Sequence, residues 1–251
     1  MYMKLRRFLG FSRIRNKNVP ENADSMWSPD TCQEMVEEPG GNYIVRCTEN
    51  MYWLAMMVNE QKCNFVGKTI RLAENINLGN LPWIPIGKDV HSAFCGAFDG
   101  CGKCITGIQV YGDLKYAGLF GVITGVNKLI TAEVFNIRLS AIHVKTTNQY
   151  AYAGGVVGYA QEGVRIERCS VEGRIESNYC AGGIIGGTED CVSVRRCHIL
   201  GRVGGGEITG ALVGRLITNS TIINCGNGAS DIYGRPEERI VGYCDETSLV
   251  S

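Results

Sequence analysis

A short apolar run closed by glycine recurs along the second half of the chain. It reads Ala117-Gly-Leu-Phe-Gly121, Ala153-Gly-Gly-Val-Val-Gly158, Ala181-Gly-Gly-Ile-Ile-Gly186 and Thr209-Gly-Ala-Leu-Val-Gly214, with a remnant at Arg239-Ile-Val-Gly242. The closing glycines are therefore Gly121, Gly158, Gly186, Gly214 and Gly242, and the last three intervals are equal. The register holds between them: Ile166, Val194 and Ile222 keep the same interval, as do Cys169, Cys197 and Cys225. The longer first interval predicts an insertion, placed at Thr146–Tyr150. Within one period, Arg165–Val171 and Arg174–Glu176 alternate between apolar and polar, with Gly173 between them. That period of two, with no helical spacing, predicts three short strands per repeat separated by turns.

A strand cannot leave its backbone groups unpaired. If each period is one winding, every strand pairs with its equivalent in the next winding, about 4.8 Å away. The expected fold is therefore all-β, a right-handed parallel β-helix. Loss of lumen residues at Asn227 and Asp231 predicts the end of the stack. At the other end, Trp53, Leu54, Met57 and Val58 fall at helical spacing after Thr48-Glu49-Asn50. This predicts a capping helix over about 48–60. The coils are expected over about 65–244, within a domain covering 41–251.

Composition agrees with a turn-rich chain: 33 glycines but only 6 prolines in 251 residues. Twenty-five basic and 25 acidic residues cancel, so nothing draws the chain toward nucleic acid. From Met1 to Lys17 the chain carries basic residues and no acid, and the stretch after it is acidic. Residues 1–40 read as a polar, poorly ordered arm, with a basic tether to an anionic surface as the sharper alternative. No apolar run reaches the ~18 residues of a membrane span, and no apolar segment of a secretion signal follows the basic start. Twelve cysteines suit disulfides outside the cell or free thiols inside it. Those in the strand pattern read as buried packing.

The order of these motifs resembles the GLUG-repeat β-helix proteins, found in bacterial surface adhesins and appended to some IgA-specific metallopeptidases. Gly118-Leu-Phe-Gly121 matches the name-giving motif, and Gly67-Lys-Thr-Ile70, Trp83-Ile-Pro-Ile-Gly87 and Phe98-Asp-Gly-Cys-Gly102 match the upstream pattern. The resemblance covers about residues 41–244. It implies a non-catalytic repeat outside the cell or on its surface, binding a protein or glycan partner. It supplies no shared site and no cofactor. The His-Glu-x-x-His zinc motif of metallopeptidases is absent from the sequence.

Three groups of residues carry candidate chemistry. Tyr150, Tyr152, Tyr159 and Tyr179 gather near one corner, and tyrosine is a low-entropy contact residue. They read as a partner or ligand surface, or as a stacked aromatic edge. Glu162 and Asp190 are one repeat apart, with Glu189 alongside. Such a stack can hold Ca²⁺ or serve as an acid/base pair in a polysaccharide-active enzyme, the alternative function; a solvated turn is the plainer reading. His91, Cys95, Cys101 and Cys104 lie close together along the chain and hold donors of the zinc type. No second Cys-x-x-Cys accompanies them, so no bound metal is expected.

Overall fold

The computed structural model describes residues 31–127, 131–232 and 240–251. The described chain is almost entirely β, with parallel strands stacked as a solenoid and one helix, α1 (Thr48–Asn59). A regular winding runs through Tyr152–Gly154, Val157–Ala160, Val164–Glu167 and Ser170–Glu176. Each of the four pairs in parallel with its equivalent in the next repeat, at Cys180–Gly182, Ile185–Thr188, Ser193–Arg195 and His198–Gly204. Four strands per winding replace the three expected from the pattern. Gly154–Tyr159 looks like one apolar run, yet it is broken between Gly154 and Val157. The reason is a corner too tight for a side chain. A Cβ on Gly154 would collide with the carbonyl oxygen of Val157 and lie 2.7 Å from the amide nitrogen of Gly186.

The longest sheet has nine strands, the first of them antiparallel. Its eight parallel strands make a stack about 34 Å tall at the usual spacing. Alternation sends Val164 and Ile166 into the lumen and Arg165 to solvent, so the period of two is a burial pattern. Phe65, Phe94, Phe98 and Phe120 fill the N-terminal lumen, and aliphatic rows such as Val194 and Ile222 fill the rest. The α1 helix turns Met51, Leu54, Ala55 and Val58 inward; Trp53 and Met57 are only half-buried. Its first turn includes Thr48, Glu49 and Asn50, with Cys47 at the N-cap and no side-chain cap. The Asn50 amide is engaged elsewhere, by the Arg46 nitrogen and the Gln33 and Glu34 carbonyls. No described helix is long and apolar enough to cross a membrane.

The nine extra residues of the long winding are split among two turns and a bulge. Phe120 aligns with Val157, an offset of 37, but Ala132 aligns with Val164, an offset of 32. Five of the extra residues therefore fall between Ile123 and Ala132. The offset falls from 32 at Leu139 to 31 at Ile142, a one-residue bulge, and to 28 at Tyr152. Thr146–Tyr150 holds only the last three. A bulge needs one residue to leave the β region, and Ala141 takes a φ of +51° there. Left-handed backbone costs a residue with a Cβ about 1–2 kcal/mol, whereas glycine loses mainly entropy. Ala141→Gly should therefore gain about 0.5–1 kcal/mol, read as a higher denaturation midpoint; an unchanged or lower midpoint would show no stored strain.

The last part of the expected arm, residues 31–40, includes a strand. Val36–Glu37 pairs with Tyr43–Val45, and Met35 is buried, because the sheet's first parallel strand takes an antiparallel partner. Residues 1–30, where the tether was placed, lie outside the described residues. The stack also runs past 244, to Leu249–Val250. A register shift after Gly201 puts Ile232, not Asp231, opposite Val203. The described cysteines are free thiols. Cys169 and Cys197 are buried in one row, and the Cys197 amide donates to the Cys225 sulfur at 3.3 Å.

Candidate functional site: a tyrosine corner

Two columns of the repeat build the site. The residue before the motif's alanine runs Tyr116, Tyr152, Cys180, Ile208 through successive windings. The residue after the closing glycine runs Val122, Tyr159, Gly187, Arg215, Tyr243. Both columns lie outside the lumen. Where they meet, Ala93, Tyr116 and Val122 form a second apolar cluster, and Tyr152 and Tyr159 pack on it. Ring centroids are 5.4 Å apart for Tyr116 and Tyr159, 4.9 Å for Tyr152 and Tyr159, and 5.6 Å for Tyr152 and Tyr179. A concavity of about 270 Å³ is lined by Lys115, Tyr116, Tyr150, Tyr152, Tyr159 and Tyr179. Tyr150 is 63% exposed on its rim.

All four tyrosines singled out in the sequence therefore come together. Lys115, Tyr116, Arg215 and Tyr243 join them from other windings. Those four were legible as residues flanking Ala117, Gly214 and Gly242 of the recurring motif, had the flanks been aligned along with the motif itself.

The glycine at 187 sets the geometry. A Cβ there would collide with Tyr152 Cδ1 and lie 2.6 Å from its Cε1, so the Tyr152 ring lies across the space that Gly187 leaves. From there the Tyr152 hydroxyl meets the Arg215 guanidinium, 3.5 Å from Nη1. The Tyr159 hydroxyl donates to Glu189 Oε2 at 3.3 Å, and the Gln161 amide donates to the same oxygen at 3.0 Å. Burial, and then the Glu189 charge, push the Tyr159 phenol well above its ordinary range. It remains a neutral donor at any physiological pH. Burial likewise raises Tyr152, against the lowering effect of Arg215.

The three carboxylates do not form a metal-holding group among the described residues. The Gly163 amide donates to the Asp190 carbonyl, so the turns do lie one above the other. Glu189 is taken by Gln161 and Tyr159, and Asp190 accepts from the Cys191 thiol at 3.0 Å. Glu162 is half-buried.

His91, Cys95, Cys101 and Cys104 are not drawn together either. His91 sits exposed in a short 3-10 turn, Cys95 is buried against the Ala93 carbonyl, Cys101 is exposed, and Cys104 lies 3.3 Å from the Ser140 hydroxyl. Cys95 precedes the strand Ala97–Asp99, Cys101 lies in the turn after it, and Cys104 opens the next strand, Cys104–Thr106. Among the described residues, no group of three or more His, Cys, Asp or Glu side chains is placed to hold a metal ion.

The same solenoid occurs in a known protein. A crystal structure from Bacteroides ovatus, described as a "putative immunoglobulin A1 protease", superposes with a TM-score of 0.66 at 17% identity. The match covers 88% of this chain and 67% of that one. At that identity the likeness shows the fold alone. No family model matches the chain, and no curated protein matches it in sequence.

Proposed function

We propose that this protein is a non-catalytic β-solenoid repeat module, of the GLUG type, that binds a glycan through its tyrosine corner outside the cell or on its surface. One observation carries the reading. Four clustered tyrosines and a fifth on the rim surround a concavity on the outer wall of a fold whose main apolar core fills the lumen. Phenol rings offer flat apolar faces for the C–H faces of a sugar. Gln161, Glu189, Lys115 and Arg215 supply polar groups at the edge, and a few placed polar groups among aromatics are the usual make-up of a ligand site. The protease name of the structural neighbour is not carried over, since the sequence lacks the His-Glu-x-x-His motif. The engagement of Glu189 by Gln161 and Tyr159, and of Asp190 by Cys191, weighs against polysaccharide cleavage.

The test is a glycan array followed by calorimetry on the full chain. Binding without release of new reducing ends is expected. Tyr159→Ala removes a central ring, and Gly187→Ala keeps every ring but displaces Tyr152. Each should weaken binding by at least about tenfold, the scale of a buried aromatic contact. Unaltered affinity in both variants would move the site elsewhere, and release of reducing ends would replace the reading with an enzyme.

A further inference from the structure

The tyrosine corner does not end at its concavity. In the column that follows the closing glycines, Tyr159, Gly187, Arg215 and Tyr243 succeed one another by single windings. Gly187 leaves no side chain of its own, and the Tyr152 ring covers the gap and reaches Arg215. The result is an unbroken strip along the stack axis, with Lys115 at one end, Tyr243 at the other, and Arg215 between Tyr243 and the remaining rings. Lys115 Nζ lies 5.3 Å from the centre of the Tyr116 ring, and Arg215 Cζ lies 5.8 Å from that of Tyr243.

What sets these two cations apart is their partners, which are aromatic rings rather than carboxylates. Lys68, Arg71, Lys145, Arg165, Arg168, Arg174 and Arg196 each form an ion pair with a glutamate. Lys115 and Arg215 form none among the described residues; their side chains meet tyrosines instead. The nearby carboxylate, Glu189, faces Gln161 and Tyr159. Arg215 is half-buried and held in place by two phenols. A guanidinium so ordered offers a planar fork to an incoming carboxylate or sulfate at little entropic cost. The windings carrying Lys115 and Arg215 are three steps apart, about 14 Å at the usual strand spacing. That separation calls for an oligosaccharide lying along the axis.

We infer that the strip selects acidic saccharides. Arg215 takes the anionic group of one sugar, the adjoining ring lies on Tyr152 and Tyr159, and Lys115 meets a second anionic group three windings away. This rests on the glycan reading above and adds the charge of the ligand to it. Uronic-acid carboxylates and sugar sulfates share the required chemistry.

The experiment uses the full chain against matched pairs on one array. These are oligogalacturonate with its carboxyl-reduced form, sulfated galacto-oligosaccharide with its desulfated form, and hexaglutamate as an acidic peptide. An acidic member should bind at least about tenfold tighter than its neutral partner, as expected for charge-assisted hydrogen bonds. Preference for the carboxylate pair or the sulfate pair names the source. Arg215→Gln should shrink the acid-to-neutral ratio to within about twofold, and Lys115→Gln should shrink it partly; both sites are on the surface, and circular dichroism checks the fold. Equal affinity within the pairs, or a ratio unmoved by Arg215→Gln, overturns this inference and leaves the glycan reading standing. Binding of hexaglutamate alone, or of no probe, overturns both.

Discussion

Phe120→Ala should be among the most damaging single substitutions in the molecule, costing about 3–5 kcal/mol. Phe120 is fully buried, 5.2 Å from the Phe94 ring and 5.5 Å from the Phe98 ring, measured between centroids. It sits where the aromatic part of the lumen gives way to the aliphatic part. Its strand is hydrogen-bonded to windings on both sides, at Ile86 and at Val157. The walls around the missing ring are thus held apart by backbone ladders and cannot close in. A cavity that cannot collapse carries the full penalty. For a chain of this size the melting temperature should fall by about 6–20 °C. A loss below about 1 kcal/mol in a denaturant titration would mean that the rings pack loosely and that the capping end contributes little.

Gly182→Ala should cost about as much by the opposite route. An added Cβ would collide with the Ile185 carbonyl and lie 2.6 Å from the Gly214 nitrogen and 2.9 Å from the Leu212 oxygen. All three are backbone atoms, and two belong to the next winding. No rotamer change relieves such a clash, so the two windings must separate. Overpacking against yielding side chains costs about 1–3 kcal/mol, and rigid backbone puts this case at or above the upper end. Because windings in a solenoid contact only their neighbours, the damage should stay local. Hydrogen exchange should quicken between about residues 180 and 216 while α1 keeps its protection. Normal exchange in that segment would show that the corner has room for a methyl group after all.

The lumen was legible in the sequence because stacked windings force like residues into register; Ile166, Val194 and Ile222 declare it by spacing alone. The corners were not. Arg168 and Arg196 hold left-handed backbone in a column whose other members are Asn136 and Asn224. Asparagine signals such a position, but arginine does not. Insertions escaped for a related reason, since turns admit three or five extra residues without disturbing a ladder, and a bulge absorbs one more within a strand. At the site, Tyr150, Tyr152, Tyr159 and Tyr179 were visible because they are close along the chain. Lys115 and Arg215 arrive from distant windings. The spacing of Glu162 and Asp190 correctly placed two turns together but said nothing of side-chain choice. Glu189 bonds Gln161 and Tyr159 because amide and phenol donors stand within reach, and a second carboxylate offers none.

Equal windings turn the outer wall into a ruler. Every row of outward residues advances by one fixed increment of about 4.8 Å, set by the hydrogen bonds between windings. A polymer commensurate with that increment meets the same groups at each repeat, whereas one of another pitch drifts out of phase within a few units. Changing Tyr243 or Arg215 rewrites a mark on the scale; the graduations themselves belong to the backbone.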